Sequence, residues 1–136
     1  MIRLTLLSQN GLDYDGEAER FQVETSLGPL EVSGGYANCY ELLAPDAIVK
    51  ISETLGVKAY AVHSGILEVK KGRARILCSY AEEGNKIDVG RASSSKERAD
   101  KRLSEKDPDL DWERASASLS RALSRLKAAK IASGGK

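Results

Sequence analysis

Apolar and polar residues alternate in short runs over the first eighty positions. Ile2, Leu4 and Leu6 alternate with Arg3 and Thr5, and Phe21 and Val23 with Gln22 and Glu24. Ile48, Val49 and Ile51 form a compact apolar run, and Tyr60 and Val62 alternate in the next one. Ile66, Leu67 and Val69 precede Lys70-Lys71-Gly72, and Ala74-Arg75-Ile76-Leu77-Cys78 follows. A period of two marks strands with one buried face. The breakers have mechanisms of their own. Asn10-Gly11 and Asp15-Gly16 are expected to supply positive-φ turn positions, and Gly28-Pro29, Gly34-Gly35 and Pro45-Asp46 punctuate the middle. Many short strands with no intervening helix predict an antiparallel β-sandwich or flattened barrel.

The period changes after Glu82-Glu83-Gly84-Asn85, where β-branched residues thin out and Ala, Ser, Lys, Arg and Glu dominate. A first helix is predicted over residues 88–104, with Asp88 as N-cap and Glu97–Lys101 as an i,i+4 pair. Asp107-Pro108-Asp109-Leu110-Asp111 interrupts it, because proline cannot continue a helix and aspartate caps the next. A second helix over 111–131 carries the stripe Trp112, Ala115, Leu119, Ala122 and Leu126, and Trp112 at its head is expected to anchor a helix contact. The first helix answers with only Val89, Ala92, Ala99 and Leu103. The expected fold is therefore α+β: a sandwich domain over residues 1–84, then a two-helix antiparallel hairpin over 85–136. Burying an aliphatic side chain yields about 1.5–3 kcal/mol and alanine much less. Ordering the backbone opposes folding by about 1 kcal/mol or more per residue. A hairpin with so thin a stripe must dock on something, and can change what it docks on.

Composition adds a charge division. The 136 residues carry a formal net charge of +1, with 41% hydrophobic and 30% charged positions, as in a soluble globular protein. Residues 1–85 hold 8 Lys/Arg and 12 Asp/Glu, whereas residues 86–136 hold 13 and 8, which suggests two modules with different partners. No run reaches the roughly 20 apolar residues of a membrane span. The amino terminus enters a strand pattern directly, so no secretory signal is expected. Cys39 and Cys78 lack CxxC spacing and are expected to be reduced packing residues. His63 has no companion at metal-ligand spacing and is expected to be a surface or packed histidine. There is no G-x-x-x-x-G-K-[ST], G-x-G-x-x-G or H-E-x-x-H segment and no evident nucleophile–base set, so a non-catalytic role is expected.

Several segments, in order, resemble the epsilon subunit of F-type ATP synthases. Tyr14-Asp15-Gly16 is similar to that family's "YDG" turn, and Ala61-Val62-His63-Ser64-Gly65-Ile66-Leu67-Glu68-Val69 to its "AVSGGFLEV" segment. Ile87-Asp88-Val89-Gly90-Arg91-Ala92 fits its I/L-D-x-x-R-A motif. Asp109 through Ala115, then Leu119, Arg121-Ala122 and Arg125-Leu126, resemble its second helix. The chain departs at Gly34-Gly35-Tyr36-Ala37-Asn38-Cys39, where the family has a Pro-Gly-His corner, and at His63-Ser64, where it has Ser and Gly.

The resemblance implies a non-catalytic subunit of the central stalk, coupling a γ subunit to the c-ring. It also implies control of ATP hydrolysis through movement of the C-terminal helices, which reach the α/β subunits when extended. The place implied is peripheral, on the cytoplasmic face of the plasma membrane, with no direct membrane span and no nucleic acid partner. No cofactor is required, and ATP is implied as a regulatory ligand. The resemblance puts Glu82, Ile87, Asp88, Arg91, Ala92, Arg98, Arg121 and Arg125 at that ATP site, and Arg114, Arg121 and Arg125 at the inhibitory contact with a catalytic β subunit. The chemistry suits this, because guanidinium groups match phosphate oxygens bidentately. The plainer reading beside it is that Asp88 caps a helix and the arginines are solvated. The rival of another class is a stand-alone β-sandwich module whose basic helical tail contacts nucleic acid or another acidic partner. An enzyme is a third.

Overall fold

A computed structural model describes residues 1–134. Eight strands come first: β1 (Ile2–Ser8), β2 (Gly11–Ala18), β3 (Arg20–Thr25), β4 (Gly28–Ser33), β5 (Cys39–Leu42), β6 (Asp46–Glu53), β7 (Gly56–Lys70) and β8 (Arg73–Glu83). A single 3-10 turn, Gly84–Lys86, leads to helices α1 (Val89–Ser104) and α2 (Trp112–Ala132). The strands form one open sheet in the order β2-β1-β8-β7-β6-β3-β4, with β5 paired to the far half of β7. The pairs are antiparallel except β1 with β8, which run parallel.

The alternation read from the sequence is the alternation of burial. Ile2, Leu4 and Leu6 of β1, Phe21 and Val23 of β3, and Val49 and Ile51 of β6 point into one shared core. The β7–β8 hairpin turns at Lys71-Gly72, with φ of +52° and +76°; glycine adopts the second without penalty. Asp15-Gly16 is not a turn, contrary to expectation: both residues lie inside β2. The glycine is needed there for a different reason. A Cβ on Gly16 would come within 2.8 Å of the Tyr14 hydroxyl, which donates to Glu53 at 2.6 Å.

The long ribbon β7–β8 carries the sheet from one layer of the sandwich to the other. Tyr60 and Val62 face the core on one side of Ser64-Gly65, and Leu67 and Val69 on the other, so β7 exchanges its buried face between them. Ser64 takes a φ of +51° at this crossover, a left-handed position that disfavours a side chain.

Four consecutive residues of β7, Ala59-Tyr60-Ala61-Val62, are buried. The large pair faces the sandwich core, and the small pair lies beneath α2. Ala59 and Ala61 meet Ala128 and Ala129 of α2, with Ile87 and Ala92 closing the cluster. Both helix starts were legible: Asp88 accepts from the Arg91 amide at 3.0 Å and Asp111 from the Arg114 amide at 3.1 Å. The α1 pair is Lys96–Asp100 at 3.1 Å, and Glu97–Lys101 is not among the ion pairs of the described residues. Trp112 is not an anchor. It is 62% exposed, at the first position of α2, where neither the sheet nor α1 covers it. Val89 is also exposed, so the α1 stripe narrows to Ala92 and Ala99 with Leu103 half-buried.

Ser64→Gly removes the left-handed strain and is expected to stabilise the sandwich by about 0.5–1 kcal/mol, read from chemical denaturation. Gly84→Ala is expected to do the opposite to the hairpin. The added methyl would meet the Ala128 carbonyl and lie 2.8 Å from the Ala132 Cβ. Amide exchange of α2 should accelerate by an amount equivalent to about 1–3 kcal/mol while the β-strand amides stay protected.

Candidate functional site

The layers run sheet, α2, α1: α2 lies on the outer face of β6, β7 and the end of β8, and α1 packs chiefly on α2. Small residues on both sides bring the helix close to the sheet, and charge pairs flank the seam. Arg125 donates from Nε to Glu82 at 2.8 Å and from Nη2 at 3.2 Å, a bidentate pair with both side chains mostly covered. That hydrogen bond raises the Arg125 guanidinium pKa above its ordinary value. Lys127 reaches Glu24 at 3.2 Å, and Ser120 donates to Asp46 at 2.8 Å. The acidic sandwich and basic hairpin, expected to serve different partners, here serve each other.

Where α2, α1 and the sheet meet, a cavity of about 540 Å³ opens. The sheet contributes Asp46, His63, Tyr80 and Glu82, α1 contributes Arg91, and α2 contributes Arg121, Ser124 and Arg125. The Ser124 hydroxyl is buried with no partner among the described residues. A second cavity of about 530 Å³ adjoins it, sharing Arg91 and Arg125. Asp88, Gly90, Ser94, Ser95 and Arg98 line this one, so it opens beside the first turns of α1. Arg91, Arg98 and Arg121 have no carboxylate at ion-pair distance among the described residues (Arg98 touches only the Ser95 hydroxyl, at 3.1 Å). Unpaired guanidinium groups favour an anion.

The candidate residues divide accordingly. Glu82, Arg91, Arg121 and Arg125 come together in the larger cavity, and Asp88 and Arg98 join Arg91 and Arg125 in the smaller. Ile87 and Ala92 are buried in the helix–sheet cluster and line neither. Arg114, implied only for the inhibitory contact, is exposed near the start of α2 and also lines neither. Asp88 spends one oxygen on its cap and Glu82 both on Arg125. Sequence reading missed Asp46, His63, Tyr80 and Ser124. One signal was present: the two-residue turn Thr54-Leu55 sets a hairpin register that pairs Asp46 with His63. The two cysteines are free and half-buried. Burial raises both thiols, that of Cys78 to about 11.

On the opposite outer face, apolar side chains line up across five strands. Leu42 pairs with Ile66, Ile66 with Leu77, Leu77 with Leu7, and Leu7 with Leu12. All but the half-buried Leu7 are exposed, Leu42 at 60% and Leu12 at 59%. A continuous exposed apolar row is characteristic of interaction surfaces.

Fold and surfaces define a class: a β-sandwich carrying a docked helical hairpin, with an arginine-lined cleft at the junction and an apolar row on the far face. The profile of the "ATP synthase, Delta/Epsilon chain, beta-sandwich domain" matches residues 1–84, and that of the "ATP synthase, Delta/Epsilon chain, long alpha-helix domain" matches 85–130. The ATP synthase epsilon chain of Clostridium novyi is 34% identical over 125 residues, covering 92% of this chain and 95% of that one. The epsilon chain of Halalkalibacterium halodurans is 34% identical over 131 residues, covering 94% and 96%. A chain of the Euglena gracilis mitochondrial ATP synthase, in a structure of OSCP/F1/c-ring, shares the fold with a TM-score of 0.78 at 21% identity, over 94% of this chain and 80% of that one. The chain belongs to the delta/epsilon chain family of F-type ATP synthases.

Arg125→Ala leaves the half-covered Glu82 without its bidentate partner and is expected to weaken the docking of α2 by about 1–3 kcal/mol, measured by amide exchange along that helix. Lys127→Ala, at an exposed pair, should change it by less than about 0.5 kcal/mol.

Proposed function

We propose that the chain is the epsilon-type subunit of a bacterial ATP synthase central stalk, holding γ to the c-ring through its sandwich and restraining ATP hydrolysis by releasing its hairpin. One observation carries this reading: the hairpin is held by a small apolar cluster, mostly alanines with Ile87 buried and Leu126 and Ile131 partly buried, and by flanking charge pairs. Alanine burial contributes little, the exposed Lys127–Glu24 pair about 0–1 kcal/mol, and the covered Arg125–Glu82 pair about 1–3 kcal/mol. The docked state is therefore within reach of a competing surface.

The apolar row supports a permanent partner for the sandwich, and γ is the one proposed. Such a row stays exposed while α2 sits on the other face, so the sandwich can remain bound while the hairpin moves. Once free, α2 presents Arg114, Arg121 and Arg125 to an acidic stretch of a catalytic β subunit. No helix of the described residues is long and apolar enough to cross a membrane. Attachment to the cytoplasmic face of the membrane then runs through the rest of the complex.

The cleft fits a nucleotide as the regulatory ligand. Arg91, Arg98, Arg121 and Arg125 supply the positive field, drawn from both helices and set against the sheet. A polyphosphate in the cleft bridges all three layers. It therefore binds the docked hairpin and not the extended one, and stabilises docking by that difference.

Asp46 and Ser120 touch across the seam, at 2.8 Å. Cysteines at both positions, in a Cys39→Ser, Cys78→Ser background, allow the hairpin to be locked in the reconstituted complex. Oxidation is expected to raise ATP hydrolysis severalfold over the reduced complex. Equal rates in the two states would overturn the proposed release.

A further inference from the structure

His63 is the chain's single histidine. It lies on β7, paired in register with Asp46 of β6 on one side and Tyr80 of β8 on the other. Its Nδ1 sits 2.9 Å from Asp46 Oδ1, and the second Asp46 oxygen accepts from the Ser120 hydroxyl of α2 at 2.8 Å. The Asp46 side chain is only 9% exposed, so the carboxylate is clamped between strand and helix. A carboxylate on Nδ1 makes that nitrogen the protonated one and fixes the ring plane. The remaining edge, Nε2, has no hydrogen-bond partner among the described residues, and the ring lines the larger cavity.

A ring held this way has two settings. Neutral, it accepts a hydrogen bond through Nε2; protonated, it donates one and adds a positive charge. The charged and titratable groups around it come from every neighbouring element: Asp46 on β6, Tyr80 and Glu82 on β8, Arg91 on α1, and Arg121 and Arg125 on α2. Asp46 places a carboxylate at Nδ1, the guanidinium groups surround the rest of the cavity, and Glu82 is engaged by Arg125. Ser124 of α2 also lines this space.

We propose that His63, oriented by Asp46, is a proton-dependent ligand for a polyphosphate anion in this cleft, taking up one proton from solvent as the anion binds. The inference rests on the nucleotide reading of the cleft. An arriving anion offsets the positive charge of the guanidinium groups around the ring, and the imidazolium then donates from Nε2 to a phosphate oxygen. Asp46 is a positioning residue, since it acts only through the ring. By linkage, the proton strengthens anion binding by the same factor that the anion strengthens proton binding.

The test uses the full chain with inorganic tripolyphosphate and ATP as probes, comparing wild type with His63→Gln. Calorimetry at pH 7 in buffers of different ionisation enthalpy should show a greater net proton uptake by the wild type than by the variant, with the ligand's own contribution common to both. The affinity ratio of wild type to variant should fall from about tenfold at pH 6 to near one at pH 8.5, the effect of one opposite charge placed close to the ring. The ligand's own terminal phosphate titrates in both proteins and cancels in that ratio. A single histidine also makes the ring directly observable. Its carbon resonances in the wild type should move toward the imidazolium position when tripolyphosphate is added at pH 7, a readout that does not depend on the variant folding. Intact binding with a pH-independent ratio and an unmoved ring overturns the role of His63 alone. Failure of both probes to bind at any pH overturns it together with the nucleotide reading.

Discussion

The close approach of α2 to the sheet is the contact on which the arrangement depends. Ala59 and Ala61 face Ala128 and Ala129, and Gly84 has no room for a methyl beneath the helix backbone. Larger side chains at any of these positions would lift α2, and with it α1, which packs chiefly on α2. The cleft would open at the same stroke, since its walls come from all three layers. Close packing of small groups fixes position well while contributing little burial energy per residue. That combination gives a hairpin with one defined docked geometry and modest affinity for it.

Electrostatics supplies what the alanines do not. The seam is flanked by Arg125–Glu82, Lys127–Glu24 and the Ser120–Asp46 hydrogen bond, each joining the basic module to the acidic one. Only the first is well covered. The same arginine that holds the helix down also borders both cavities, so the docking contact and the proposed ligand site share one side chain. A ligand that competed for Arg125 would loosen the pair with Glu82, whereas one seated among the unpaired Arg91, Arg98 and Arg121 would add contacts without removing any.

Local features were the legible ones. Asp88 and Asp111 cap their helices because an N-cap needs only the residue and the amide three positions on. Lys71-Gly72 turns because the turn is contained in its own residues. Features set by distant neighbours were not legible. Gly16 reads as a turn residue until the Tyr14 hydroxyl is placed over it. Trp112 heads an apolar stripe, but the stripe outruns the surface that covers it. For the site, Arg121 and Arg125 lie about one turn apart on α2 and both line the cleft, while Arg114, about two turns before Arg121, does not. The Asp46–His63 pair needed a strand register, and Tyr80 and Ser124 needed the docked helix.

The placement of the alanine seam near the carboxyl end of α2 gives the hairpin a mechanical character. From Ala128 to Trp112 the helix runs sixteen residues, about 24 Å at 1.5 Å per residue. Its pivot lies over Gly84, the first residue of the 3-10 turn, and its far tip at Asp107–Asp111 is exposed or half-exposed. A load applied at that tip acts through a long arm on a short fulcrum. The seam therefore opens from the tip inward, in peel and not in shear, and yields to a torque far smaller than the one needed to slide the helix off whole.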